Sequence, residues 1–289
     1  MEQKFSRIIQ GCMTWGAWGK QLTKNEMISS MHHCLEHGIT TFDHADIYGD
    51  YTTEGDFGKA LKDSALARES LQIISKCGIQ YVGATRDNTV KHYQYDADYI
   101  IWSAEKSISD LHCDYLDLLL IHRPSAMMHP EEIAKAIDKL TSEGKIKSFG
   151  VSNFTPSQTD LIGSKSKVSA NQIEFSLTAH DALHDGSLDH MMLHGITPMC
   201  WSPLGAVFRE ETAQTKRIHA LLDELCKTYN ATKDQLLLAW ILKHPSGIHP
   251  VIGTTNKNRI ALAVQVASLS LSEVDWFRML IESQGHKVP

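Results

Sequence analysis

The chain has 289 residues, 42% of them hydrophobic and 21% charged, and 28 basic against 34 acidic side chains leave a net charge of −6. That apolar share excludes a disordered or collagen-like chain, and the sign of the charge disfavours a nucleic-acid partner or an anionic membrane surface. The longest apolar run, residues 236–242, falls far short of the roughly 20 residues that a bilayer span needs.

Short runs rich in Ile, Val and Leu alternate with amphipathic stretches, the pattern of βα units around a parallel sheet. Residues 7–11 read as a strand, followed by a loop through Trp15 and Trp18. Thr23 and Glu26 spell a capping box for a helix over 24–37, which Gly38 ends. A strand at 40–44, a short helix at 54–61 and a strand at 71–76 follow. Next come a helix at 98–111, a strand at 115–121 and a helix at 130–142, opened by Pro130 and stopped by Gly144. The chain continues with a strand at 147–151, a helix at 156–164, a strand at 170–174, a helix at 188–194 and a strand at 198–201. Helices at 215–229 and 233–243 precede a strand at 248–252, and helices at 257–267 and 272–282 follow it. Eight strands separated by helices in about 250 residues predict one (β/α)8 TIM barrel over 1–289 with an additional C-terminal helix. A doubly wound sheet is the alternative, but no GxGxxG follows the first strand, where the chain reads Gly11-Cys-Met-Thr-Trp-Gly16.

No apolar stretch follows Met1-Glu-Gln-Lys-Phe, so no signal peptide is expected. Six scattered cysteines without a CxxC pair read as thiols of a reducing compartment, with the cytoplasm as the default. Sixteen histidines raise the question of a metal site. There is no HExxH, and His32, His33 and His37 are read as lacking acidic neighbours, so no metal is expected.

A barrel places functional side chains at the C-terminal ends of several strands. Four polar residues fall there: Asp43, Tyr48 just beyond it, Lys76 and His122. A phenol has a pKa of about 10, and a nearby ammonium stabilises its anion. A buried ammonium needs a carboxylate, and an imidazole can hold a carbonyl oxygen. Together these groups suit the protonation of an alkoxide as an external donor delivers hydride to a carbonyl. His44 and Asp46 read as loop hydrogen-bonders, and Cys77 and Cys200 as small packing residues.

The ordered runs Asp43-x4-Tyr48-Gly49, SKCG (75–78), IHRP (121–124), GVSNF (150–154), NQIEFS (171–176), WSPLG (201–205) and IGTTNxxRI (252–260) resemble the aldo-keto reductase superfamily. The resemblance covers residues 7 to about 267 and is nearest to a bacterial branch described only as oxidoreductases. It implies a (β/α)8 barrel and NADPH-dependent reduction of an aldehyde or ketone. It makes Tyr48 the proton donor, its pKa lowered by Lys76, which pairs with Asp43, and it gives His122 the substrate carbonyl. It implies a nicotinamide held by Ser152, Asn153 and Gln172 and stacked on Trp201. The Ser202-Pro203-Leu204-Gly205 turn then meets the pyrophosphate, and Met13, Thr14, Trp15, Gly253, Thr254, Asn256 and Arg259 complete the cofactor site.

The chain departs from the family at the cofactor's far end. Gly253 stands where many members carry a lysine, and Leu262-Ala263 replaces a Glu-Asn pair, which leaves Arg259 as the main phosphate clamp. NADP(H) is favoured over NAD(H). Trp15, Trp18, Tyr51, His129 and the polar insertion 78–96 are candidates for lining the pocket, and little follows the last helix to cover it. The expected partner is a small carbonyl compound, for a monomer or weak homo-oligomer. An NADP(H)-binding sensor or regulatory subunit of the same fold is the alternative function, and a barrel isomerase or lyase a third.

Overall fold

The computed structural model describes residues 5–288. In chain order the elements are β1 (Ile9–Gly11), α1 (Lys24–Glu36), β2 (Thr41–Asp43), the single broken turn α2 (Tyr48–Tyr51), α3 (Thr53–Asp63) and β3 (Gln72–Cys77). A small hairpin, β4 (Ile79–Gln80) and β5 (His92–Tyr93), leads to α4 (Ala97–Asp110), β6 (Leu118–Ile121), α5 (Pro130–Ser142), β7 (Phe149–Ser152), α6 (Pro156–Gly163) and β8 (Ala170–Glu174). Then follow α7 (Ser187–His194), β9 (Thr197–Trp201), α8 (Ala213–Tyr229), α9 (Lys233–Leu242), β10 (His249–Ile252), α10 (Lys257–Gln265) and α11 (Glu273–Gln284).

The parallel strands close in the order β1-β10-β9-β8-β7-β6-β3-β2. This is the predicted barrel, and the doubly wound alternative falls. Side chains alternate along a strand, so Ile74 and Lys76 share one face of β3, and Ala170 and Gln172 share one face of β8. Ile9, Ile74, Leu118, Leu120, Ala170, Met199 and Val251 fill the barrel interior as one buried cluster. The register pairs Ile74 with Leu118 and Lys76 with Leu120, so Lys76 stands one inward position further toward the C-terminal ends. The polar residues thus cap an apolar plug. A larger apolar layer, which includes Phe42, Phe57, Leu119, Ile121, Phe175 and Trp240, lies between strands and helices.

Differences from the predicted elements are local. The strand at 115–121 shortens to Leu118–Ile121, with Leu116 pairing with Ile146 only as an isolated bridge, and the Tyr115 ring lies against two cations, Arg68 at 4.0 Å and Lys147 at 4.2 Å from its centroid. The helix expected from 215 starts at Ala213, since Thr212 and Thr215 cap it reciprocally. The helix at 257–267 ends at Gln265 and tightens into a 3-10 turn over Val266–Ser268. The hairpin β4–β5 escaped the sequence because His92 and Tyr93 are both exposed, leaving no apolar alternation to read. Among the described residues no helix is long and apolar enough to cross a membrane.

Candidate active site

Strand ends and the loop after β2 bring the four polar residues together at the C-terminal side of the barrel. Lys76 Nζ donates to Asp43 Oδ2 at 2.7 Å, to the His44 carbonyl at 2.8 Å and to Tyr48 Oη at 3.1 Å. An ammonium has three N–H donors, so all are used. The side chains of Lys76 and Asp43 are only 1% and 3% exposed. The other carboxylate oxygen, Asp43 Oδ1, accepts from Gln172 Nε2 at 2.9 Å. Because Lys76 donates to the phenol oxygen, the hydroxyl's own hydrogen is free to point elsewhere. The Tyr48 ring meets the His122 ring edge-on at 6.2 Å between centroids.

Burial sets the charge states. It works to lower the Lys76 pKa, but Asp43 and Tyr48 more than reverse this, and the ammonium sits above its ordinary value. Burial raises the Tyr48 pKa, Lys76 pulls it back and Asp43 adds to the rise. Lys76 thus pulls the Tyr48 pKa down, as expected, but desolvation outweighs the pull, and the phenol keeps its proton at neutral pH. Burial, aided by Lys76 and Arg123, holds His122 well below the usual histidine range, so its imidazole is neutral. Its Nδ1 is buried without a hydrogen-bond partner.

One of the two readings of the Asp43–Tyr48 loop changes. His44 hydrogen-bonds through its carbonyl and not its side chain: among the described residues neither ring nitrogen has a partner, the ring centroid lies 4.3 Å from that of Phe57, and burial with Lys76 pushes its pKa down to about 3. Asp46 is the hydrogen-bonder expected, accepting from Ser103 at 3.0 Å, and burial and the charge of Glu54 push its pKa up to about 7. Burial likewise raises Glu54, which accepts from Ser75, to about 7. Both carboxyls bind protons more tightly folded than unfolded, where their values are near 3.8 and 4.5. Stability from this source is full below about pH 4 and is lost as pH rises through about 7. The buried neutral His44 and His122 contribute the opposite slope below about pH 6.5, so Glu54 is read by difference: in urea titrations from pH 5 to 8 the stability of the wild type relative to Glu54→Gln should fall as pH rises, and a constant difference would remove Glu54 as its source.

Beside the four, Ser152 Oγ donates to the Gln172 carbonyl at 2.9 Å, and Asn153 Nδ2 donates to Ser152 Oγ at 2.8 Å. Asn153, left-handed at φ 61°, accepts at Oδ1 from Trp201 Nε1 at 2.8 Å. Trp201 is half-buried, with the Arg123 guanidinium 5.5 Å from its ring centroid. Ser152, Asn153, Gln172 and Trp201 thus form one connected group. One of the two amide N–H groups of Gln172 is given to Asp43, which leaves its second N–H and its carbonyl oxygen for other partners.

A cleft of about 960 Å³ opens next to this group, lined by Thr14, Ser202, Pro203, Leu204, Gly205, Gly253, Thr254, Asn256 and Arg259. Thr14 Oγ1 donates to the Gly253 carbonyl at 3.1 Å, tying the loop after β1 to the loop after β10. In the Ser202–Gly205 turn, a Cβ on Gly205 (φ +56°) would meet Thr178 Oγ1 at 2.0 Å, so only glycine fits. Asn256 caps α10 by accepting from the Arg259 amide at 3.1 Å, and the helix's N-terminus faces the cleft.

Three further cations line the cleft, Lys20, Arg209 and Lys233, against one acid, Asp234. Arg259 is therefore not the main surviving charge, as the sequence reading had it. The missed signal was positional, since Lys20 and Arg209 lie in loops that follow β1 and β9. Lys233 is already paired with Asp223 at 2.7 Å. Trp15 is corrected: it is fully buried among Phe42 and Phe57, on the far side of β2, and does not line the cleft. Met13 is exposed and also outside the lining. His129 is exposed and paired with Glu131 at 3.1 Å.

The helix carrying His33 and His37 does have an acidic neighbour, contrary to expectation: Glu36 lies with them, all three ligand atoms within 4.8 Å of one another. Asp160, His190 and His194 gather similarly, with His190 Nε2 2.7 Å from Asp160 Oδ1. Both groups lie on outer helices, away from Lys76.

Comparison with known proteins adds to this geometry. A family model described as Aldo/keto reductase family matches residues 7–280. The chain is 39% identical over 292 residues to the uncharacterized oxidoreductase YcsN of Bacillus subtilis, covering 99% of this chain and 97% of that protein. It is 37% identical over 290 residues to a 6-dehydroglucose reductase of Agrobacterium fabrum, covering 99% and 96%. Among solved structures, the thermostable aldo-keto reductase Tm1743, in complex with the inhibitor epalrestat, superposes with a TM-score of 0.83 at 27% identity, covering 98% of this chain and 97% of that one.

Proposed function

Since this chain belongs to the aldo/keto reductase family and is an oxidoreductase of it, we propose that it uses NADPH to reduce an aldehyde or ketone to an alcohol, with Tyr48 as proton donor. The observation that carries this reading is the buried Lys76 Nζ, held 2.7 Å from Asp43 Oδ2 and 3.1 Å from Tyr48 Oη.

The cleft fits a dinucleotide. Its cations outnumber its acids, and the N-terminus of α10 favours an anion. Lys20, Arg209 and Arg259 would hold phosphates, the Ser202–Gly205 turn would approach the pyrophosphate, and the Trp201 ring with Asn153 and Ser152 would meet the nicotinamide. When bound, the cofactor supplies hydride. The chain's own residues supply the rest. Tyr48 gives up the proton on Oη, and Lys76 stabilises the phenolate left behind. Asp43 keeps Lys76 charged inside the barrel and is itself held in place by Gln172. The neutral His122 can donate an imidazole N–H to the substrate oxygen and orient the carbonyl.

The test is loss of NADPH absorbance on incubation with small aldehydes, ketones, dicarbonyls and 6-dehydroglucose, the last because of the named relative. Turnover with at least one of them is expected. NADPH binding without turnover would favour the sensor, and no binding would overturn the reading. Arg259→Glu should raise the KM for NADPH about tenfold or more, the cost of one lost charge-assisted contact, with a smaller change for NADH. Equal changes for both cofactors would take Arg259 off the 2′-phosphate.

A further inference from the structure

Directly after Tyr48 the backbone is left-handed at three successive residues: Gly49 at φ 61°, Asp50 at φ 56° and Tyr51 at φ 64°. Only the first is glycine. Side chains stay in that region when their surroundings over-determine them, and such strain gathers at functional sites.

The surroundings here are one short segment of the 78–96 insertion. Asp50 Oδ2 accepts from the amides of Ala84 at 2.7 Å and Thr85 at 3.2 Å. Thr85 Oγ1 lies 3.1 Å from Asp50 Oδ1 and 2.9 Å from the Asp50 carbonyl. Gly83 passes so close that a Cβ there would lie 2.1 Å from Asp50 Oδ1. Tyr51 completes the fastening. Its hydroxyl donates to the Ile79 carbonyl and accepts from the Tyr81 amide, both at 2.9 Å, and the Arg86 guanidinium lies 3.5 Å from its ring centroid.

The fastened segment carries Tyr81, whose ring centroid is 5.2 Å from that of Trp18. Trp18 in turn lies 6.4 Å from the Tyr48 ring. Asp50 itself lines neither the cofactor cleft nor the Lys76 network. Its carboxylate joins the turn that presents Tyr48 to the aromatic wall beside it.

We propose that Asp50 is a positioning residue: it latches residues 83–85 to the turn after Tyr48 and so fixes the Trp18–Tyr81 wall as a rigid side of the carbonyl substrate's pocket, suited to substrates that present an apolar face. The proposal rests on the carbonyl-reductase reading above.

Asp50→Gly keeps the left-handed backbone without strain and removes the latch. It should raise the KM for the carbonyl about tenfold, the equivalent of one charge-assisted hydrogen bond, while kcat and NADPH affinity hold. Hydrogen exchange at the Ala84 and Thr85 amides should quicken. Asp50→Asn retains an acceptor and tolerates the same φ, so it should recover part of the KM. Thr85→Ala leaves the turn itself untouched and should raise KM less; combined with Asp50→Gly it should add little. An active enzyme whose Asp50→Gly form keeps the parent's KM overturns the latch alone, as does a KM rise matched by equal losses in NADPH affinity and melting temperature. A wild-type chain that binds NADPH but reduces no carbonyl overturns the function and, with it, the wall as a substrate surface.

Discussion

Tyr48→Phe is expected to lower kcat for carbonyl reduction by about 10²–10⁴-fold, the contribution of a positioned general acid, with NADPH affinity unchanged in a fluorescence titration. The substitution deletes one oxygen. Lys76 loses its contact to Tyr48 Oη but keeps Asp43 Oδ2 and the His44 carbonyl. The buried ion pair therefore survives, and melting should move little. This separation of rate from stability makes the test clean, because a large rate loss in a well-folded variant has no structural explanation. A variant that keeps more than about a tenth of the parental rate, well above the range for a lost general acid, would take the proton-donor role from Tyr48.

Lys76→Met should fail in two ways at once. Among the described residues it removes the one cation bonded to Asp43, a carboxylate with 3% side-chain exposure. Removing one partner of a buried pair costs on the order of 3–5 kcal/mol because the other charge is left unpaired, which a urea midpoint would read directly. Activity should fall nearly as far as in Tyr48→Phe, since Lys76 is the cation that bonds Tyr48 Oη among the described residues and would stabilise the phenolate. The two effects can be pulled apart. Adding Asp43→Asn removes the orphaned charge, so the double variant should regain most of the lost stability and none of the rate. A near-normal rate in Lys76→Met, or a double variant no more stable than the single, would break the argument.

The barrel could be read from the sequence because its strands are short apolar runs whose inward residues need no special geometry, and because βα alternation allows few other closures. The candidate site was legible for the same reason: Asp43, Lys76 and His122 interrupt apolar strands where they end, and Tyr48 follows closely. Facts that depend on meetings across the barrel stayed hidden. Gln172 also holds the Asp43 carboxylate, 129 residues away, a contact that no local motif announces. Trp15 sits in a loop beside functional neighbours, and only its packing on Phe42 and Phe57 shows that it faces the other way. The net direction of the Tyr48 pKa turns on how dry its surroundings are, a quantity that no spacing encodes. Asp50 reads as one more loop acid until its backbone angle and its partners at 84 and 85 are known.

The closure of the barrel also bears on how the protein is made. Ile9 is in register with Val251, and Gln10 with Ile252. On the ribosome, the first strand of the barrel therefore waits for its last before one of its edges is paired. Until then the nascent chain carries two unsatisfied strand edges, β1 and whichever strand has emerged most recently. Such edges recruit other chains, and late long-range pairing is slow. A chain that stalls before residue 249 would thus present an open sheet, whose unpaired edges are the ones that invite pairing with other chains.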